Sequence, residues 1–320
     1  MRPALLLLCY VIVAAWVLPR PLARLSGAGV SPRLGLTAWL AAMCSVLAAA
    51  AAAVGLLARA AIEGWPAFAR TVCESVTAGV CPPTVYRSAA YELGLAVTAL
   101  LGVIAMIVLG WRYGRSLRRA SIRTRAHAEA ARITGHPVGG HRVEAGNAPF
   151  VLDATQPAVY CVPGRPPTIV VTTGALSVLR PEQLAVVLAH ERAHLAGRHH
   201  LLLAVTRSLA AIAPVVPLFA RGTAEVARLA EMRADDVAAQ RGGRRTLLTA
   251  LLAMSAGTPA ALAPATWLPV TGGIVADRVR RLAEPPPAVR SACYGLALGA
   301  LTLAIVVASA VVPALAVPGI

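Results

Sequence analysis

Residues 181–196, PEQLAVVLAHERAHLA, decide how the rest of the chain is read. Pro181 followed by Glu182 predicts a helix start, because proline at the first helical position loses no hydrogen bond and an acid complements the positive helix end. Leu184, Val187, Leu188 and Leu195 then keep helical spacing as far as Gly197, a stop signal. Inside this helix His190, Glu191, Arg192, Ala193 and His194 form an HExxH pattern. A spacing of four puts both imidazoles on one face, where they can hold one Zn²⁺, and Glu191 beside them can serve as general base on a water there. Peptide hydrolysis needs this set: a Lewis acid for the scissile carbonyl, and a carboxylate that takes a proton from water and passes it to the leaving amine.

A third ligand is expected downstream. The run EMRAD at 231–235 places Glu231 and Asp235 four residues apart on one face of another helix. Glu231 completes a His₂Glu set with His190 and His194, and Asp235 can accept the outward N–H of a ligating histidine. An acidic pair on a helix is often only a solvated face, but here an apolar helix separates it from HExxH, and the second half of a metal site explains it better. Asp236 is rotated off that face. His199 and His200 fit no extended ligand pattern and read as interfacial or solvated. Asp277, Arg278, Arg280 and Arg281, ahead of Pro285–Pro287, read as a helix end near the bilayer with no part in catalysis.

Upstream of the helix, Ala158–Val162 and the β-branched run Thr168–Thr173 flank a proline-rich turn from Pro163 to Pro167 and predict a hairpin. The Gly-rich stretch from 135 to 150 reads as a loop.

The 320 residues are 58% hydrophobic and 14% charged, which excludes a water-soluble globule and a disordered chain, and six cysteines are too few for a disulfide-stapled secreted module. Four stretches lack charge for long enough to cross about 30 Å of hydrocarbon. They predict transmembrane helices at about 3–19, 34–58 and 93–111, and a last one within 291–320. A cleaved signal peptide at the start is the weaker reading, for want of a small-x-small cleavage pattern.

All thirty basic residues are arginine, and the net charge is +16. Many flank apolar runs, so the excess reads as topology signal and lipid-headgroup contact, with no direct nucleic-acid partner expected. Arg20, Arg24 and Arg33, then Arg112 through Arg125, mark two cytoplasmic regions, so the N-terminus is expected outside. The balanced loop from Arg59 to Glu92 is expected outside too. It holds Cys73 and Cys81, which a disulfide could join there, two free thiols being the alternative.

Leu201–Ala220 is apolar enough for a further span but cannot cross. His190 and Glu231 must share one side of the membrane to share one zinc, and Arg207, Pro214 and Pro217 predict instead a helix that enters the membrane surface or buries against the other spans, then turns back. The expected fold is a mainly α membrane protein: a three-span region at 1–111, a cytoplasmic α+β HExxH domain at 112–290 between spans three and four, and a C-terminal span at 291–320.

This arrangement resembles the antirepressor metalloproteases of the β-lactam sensor-transducer type, integral-membrane gluzincins of the bacterial plasma membrane. TIVVTTGAL at 168–176, VVLAHERAHLAGRH at 186–199 and EMRAD carry the resemblance. It implies one zinc per chain on His190, His194 and Glu231, with Glu191 as the base and Asp235 orienting a ligand. In gluzincins generally the strand before the motif helix pairs with the extended substrate, a role that would fall to Ile169, Val170, Val171, Thr172 and Thr173. A transcription repressor of the penicillinase-repressor type would be the protein substrate. The sensors carry a large extracellular penicillin-binding domain after their last span, whereas this sequence stops at Ile320, so antibiotic sensing by this chain is not expected. Heat-shock zinc proteases and prenyl-protein endoproteases share HExxH and ExxxD, but typically insert two complete spans before the third ligand. A non-catalytic receptor or scaffold would be expected to have lost Glu191 or a ligand, and none is lost.

Overall fold

A computed structural model describes residues 2–27, 29–78, 83–134, 136–137, 149–162, 164, 167–256 and 272–314. Proline opens the early helices where its missing N–H costs nothing: α2 (Pro19–Gly27), α3 (Pro32–Ala78) and α4 (Pro83–Thr134) follow α1 (Arg2–Trp16). Among the described residues, four helical stretches are long and apolar enough to cross a membrane: Pro3–Gly27, Pro32–Glu74, Ala89–Ile122 and Ala288–Val311, the last within α11 (Ala288–Ala314). The first three contain the expected spans at 3–19, 34–58 and 93–111, the fourth overlaps the expected span at 291–320, and the chain is a multi-pass membrane protein.

The described part of the connection between the second and third spans is helical. Ala, Arg and Glu are strong helix formers, so α3 continues through Arg59, paired to Glu63 at 2.7 Å, and ends only at Ala78. Its 47 residues reach about 70 Å at the helical rise, more than twice a hydrocarbon layer. Cys73 on this extension is exposed, and Cys81, with which a disulfide could form, lies outside the described residues. Likewise α4 runs unbroken past residue 111 and carries the arginine-rich segment as its own continuation.

The predicted hairpin is present, as β3 (Val159–Val162) antiparallel to β4 (Thr168–Thr172). Parts of its turn, Pro163, Arg165 and Pro166, lie outside the described residues. Two strands were not foreseen: β1 (His136–Pro137), and β2 (Phe150–Leu152), which lies parallel to β4 and is too short to show an alternating pattern. The order β1-β2-β4-β3 makes β4 an inner strand, with all five residues buried, and leaves β3 at the edge of the described sheet.

Beyond the sheet come α5 (Thr173–Val178), α6 (Pro181–Ala196), α7 (His199–Ile212), α8 (Pro217–Gly242), α9 (Arg244–Ala256) and α10 (Gly272–Ala283). At 14 residues α7 spans about 21 Å, short of the bilayer, and the break holding Pro214 returns the chain into α8 as expected. Val159, Ile169 and Val171 of the sheet pack on Val187 of α6. On its other side α8 packs on the membrane helices: Trp39 and Met43 of α3 are fully buried with Leu218, Phe219, Val226 and Leu229. Gly222 allows this approach, since a Cβ there would strike Met43 and Trp39.

Two arginines fasten the turn between α2 and α3 to the same unit. Arg228 of α8 donates to the carbonyls of Ser26 at 2.9 Å and Gly27 at 3.1 Å, and Arg281 of α10 donates to that of Gly29 at 2.8 Å. Arg281 also binds Asp236, which confirms that Asp236 faces away from Glu231.

Candidate metal centre

The motif helix α6 is built as its sequence predicts. Pro181 occupies its first turn, the Gln183 side chain accepts from the Arg180 N–H at 2.9 Å, and Gly197 caps its end. Opposite, α8 lies along α6 with Ala238 against Val186 and Ala189, so the EMRAD turn faces the HExxH turn. His190, His194 and Glu231 offer ligand atoms that all lie within 4.8 Å of one another.

The spacing of these atoms fits zinc. Four donors about 2.0–2.1 Å from a tetrahedral centre stand about 3.3 Å from one another. Here Nε2 of His190 and Nε2 of His194 are 3.1 Å apart, and they lie 3.5 and 3.3 Å from the Glu231 carboxylate oxygens. Charge fits as well. Glu191, Glu231 and Asp235 set three carboxylates against the guanidinium of Arg278, and the remainder is the charge of one divalent cation.

Asp235 is almost fully buried, with Oδ1 3.0 Å from His190 Nδ1, the nitrogen that faces away from His194 and Glu231. The approach is oblique and leaves Nδ1 without a well-aligned hydrogen bond. Burial opposes charge on His190, but Asp235 and Glu231 outweigh it and raise the imidazole to about 9. Burial likewise opposes charge on the two acids and is overcome, chiefly by Arg278. Asp235 falls to about 2, and Glu231 is held well below the usual carboxylate range.

Arg278 is the functional residue that the sequence reading set aside. It is 7% exposed and grips Asp235 with two hydrogen bonds, Nε to Oδ2 at 2.8 Å and Nη2 to Oδ1 at 2.7 Å, while Nη1 reaches Glu231 at 3.0 Å. The charged segment 277–281 is therefore no mere helix end. The three carboxylates Glu191, Glu231 and Asp235 exceed the charge of one divalent metal by one, and Arg278 supplies that remaining countercharge.

His199 is the second correction. It is 4% exposed, with Nδ1 2.9 Å from Nδ1 of His194 and the rings nearly perpendicular at 88°. Nothing in the spacing HExxHxxxxH fixes this contact, which depends on a reversal between α6 and α7. His200 has a buried Nδ1 with no hydrogen-bond partner among the described residues.

Glu191 faces the sheet. Its Oε2 accepts the backbone N–H of Cys161 at 3.0 Å. In the β3–β4 ladder Thr172 N–H donates to Ala158 C=O at 3.0 Å, so alternate residues Val159 and Cys161 turn their backbone groups toward the outer edge. The expectation that Ile169–Thr173 receives a substrate strand is corrected accordingly. Val170–Thr172 has β2 on one side and β3 on the other, and Thr173 already begins α5. Burial pushes the Cys161 thiol up, and the neighbouring Glu191 adds to the rise.

Metal analysis of the detergent-purified chain is expected to give about one zinc per chain, lost in His190→Ala and in Glu231→Ala and bound about 10–100-fold more weakly in Asp235→Ala. Full occupancy in Glu231→Ala would remove the third ligand.

The model of peptidase family M48 matches residues 144–285, a segment that contains both zinc-binding helices and Arg278. No solved structure matches the chain. The His190, His194 and Glu231 group and this match together make the chain a multi-pass membrane zinc metalloprotease, with a peptidase family M48 domain at residues 144–285.

Proposed function

We propose that this protein is an endopeptidase that cleaves extended protein segments presented at the cytoplasmic surface of the membrane. The observation that carries the reading is the contact of Glu191 with Cys161, which sets a carboxylate between the His₂Glu cluster and the outer edge of β3. An extended polypeptide laid along that edge would pair with the outward backbone groups of Val159 and with the carbonyl of Cys161, and its scissile bond would lie over the ligand cluster.

His190, His194 and Glu231 would hold zinc, whose contribution is Lewis-acid polarisation of the scissile carbonyl. Glu191, fixed in direction by the Cys161 amide, takes the proton of the attacking water and delivers it to the leaving nitrogen. Asp235 and Arg278 hold the ligands in place. Orientation follows from Arg20, Arg24, Arg33 and the arginines of α4, which favour the cytoplasmic side for both regions they mark. The repressor substrate implied by the resemblance is one special case of such a segment.

A disordered polypeptide such as β-casein should be cut by the purified protein, with cleavage abolished by chelation and restored by Zn²⁺. A short peptide cut from the same region should resist once its backbone amides are N-methylated at alternate positions, because pairing to β3 is then lost. Zinc-loaded protein that cuts neither polypeptide, or that cuts the methylated peptide equally well, would sink the reading.

A further inference from the structure

We propose that His199 is a positioning residue for the zinc ligand His194, accepting a hydrogen bond that fixes its tautomer and ring direction. The inference rests on the zinc-protease reading and assigns a role to a side chain outside the HExxH and EMRAD motifs.

The geometry leaves little choice of donor and acceptor. Nε2 of His194 faces Nε2 of His190 and the Glu231 carboxylate, so its lone pair belongs to the ligand cluster. A neutral imidazole that gives Nε2 to a metal must carry its proton on Nδ1. Nδ1 of His194 lies 2.9 Å from Nδ1 of His199, which is therefore the acceptor. His199 is buried, and its 88° angle to the His194 ring lets a lone pair in one ring plane meet an N–H in the other.

The backbone is shaped to make this contact. Between α6 and α7 only Arg198 among the described non-glycine residues has positive φ, at 49°, and this left-handed step folds the first residue of α7 back onto the last turn of α6. Gly197 before it has an ordinary φ of −76°, so conformation does not demand glycine there. Space does: a Cβ at 197 would run into the His199 ring.

The two zinc histidines thus receive different support. His190 has a carboxylate behind it, itself neutralised by Arg278. His194 has a neutral imidazole, which supplies an acceptor without a fourth negative charge in a cluster that holds one arginine. Outer partners of this kind orient a ligand and set its basicity.

The test uses full-length protein in detergent, stripped of metal and titrated with Zn²⁺ against a chelating dye, with Co²⁺ absorption as a second readout. His199→Phe fills the space and removes the acceptor, whereas His199→Asn keeps an acceptor near the position of Nδ1. His199→Phe is expected to weaken zinc binding about 10–100-fold and shift the Co²⁺ bands, with His199→Asn within about threefold of native. Gly197→Ala leaves every zinc-facing side chain in place but displaces the ring, and should lose affinity as His199→Phe does. Native affinity in His199→Phe or Gly197→Ala overturns the proposal. So does equal weakening in the Phe and Asn variants at an unchanged melting temperature, since a space-filling role would then suffice. Failure of the native chain to bind zinc would instead remove the reading on which this inference stands.

Discussion

Replacing Arg278 with methionine is expected to destabilise the protein by about 3–5 kcal/mol, the usual result of removing one partner from a buried charge cluster. The guanidinium holds Asp235 with two hydrogen bonds and Glu231 with a third contact, and all three groups have side chains no more than 19% exposed. Without it, two acids would face each other across one turn of α8 with only the His190 and His194 imidazoles beside them. The cost should appear as earlier urea unfolding in detergent. Arg278→Met with Asp235→Asn should recover part of it, because the amide removes one of the unpaired charges. An Arg278→Met protein as stable as native would mean that water reaches this cluster and screens its charges. Arg278→Lys is expected to fall between, since a single ammonium cannot form the two-pronged contact with Asp235.

Glu191→Gln should lower kcat about 10²–10⁴-fold, the range for loss of a general base, and leave zinc content unchanged. Glu191 is not one of the three clustered ligands, and its carboxylate is turned toward Cys161 of β3. Glutamine can still accept the Cys161 N–H through its amide oxygen, so local structure is retained while proton transfer is lost. Cleavage assays on zinc-matched samples separate the two effects. Native activity in Glu191→Gln would assign the proton transfer to another group, and loss of zinc would make Glu191 a ligand after all.

How much of this site the sequence could show depends on the distance over which each relation is set. His190, Glu191 and His194, and likewise Glu231 and Asp235, are related by helical spacing. That spacing fixes which side chains share a face whatever the rest of the fold does. Long uncharged runs determined the four spans in the same local way, and two prolines determined that the apolar segment after the motif helix turns back.

Relations between elements were decided by the tertiary structure. The three-residue strand β2 converts β4 into an inner strand and passes the free edge to β3, which no periodicity in Thr168–Thr173 could show. A left-handed step at Arg198 brings His199 onto His194. Packing of α10 against α8 buries an arginine that on its own helix looks like any solvated cation. Short-range spacing therefore determined the His190, His194 and Glu231 group and the place of Glu191 beside it. Strand edges, reversals and burial depend on where distant segments come to rest, and those decided which side chains stand behind the ligand group and which strand lies at the edge of the described sheet.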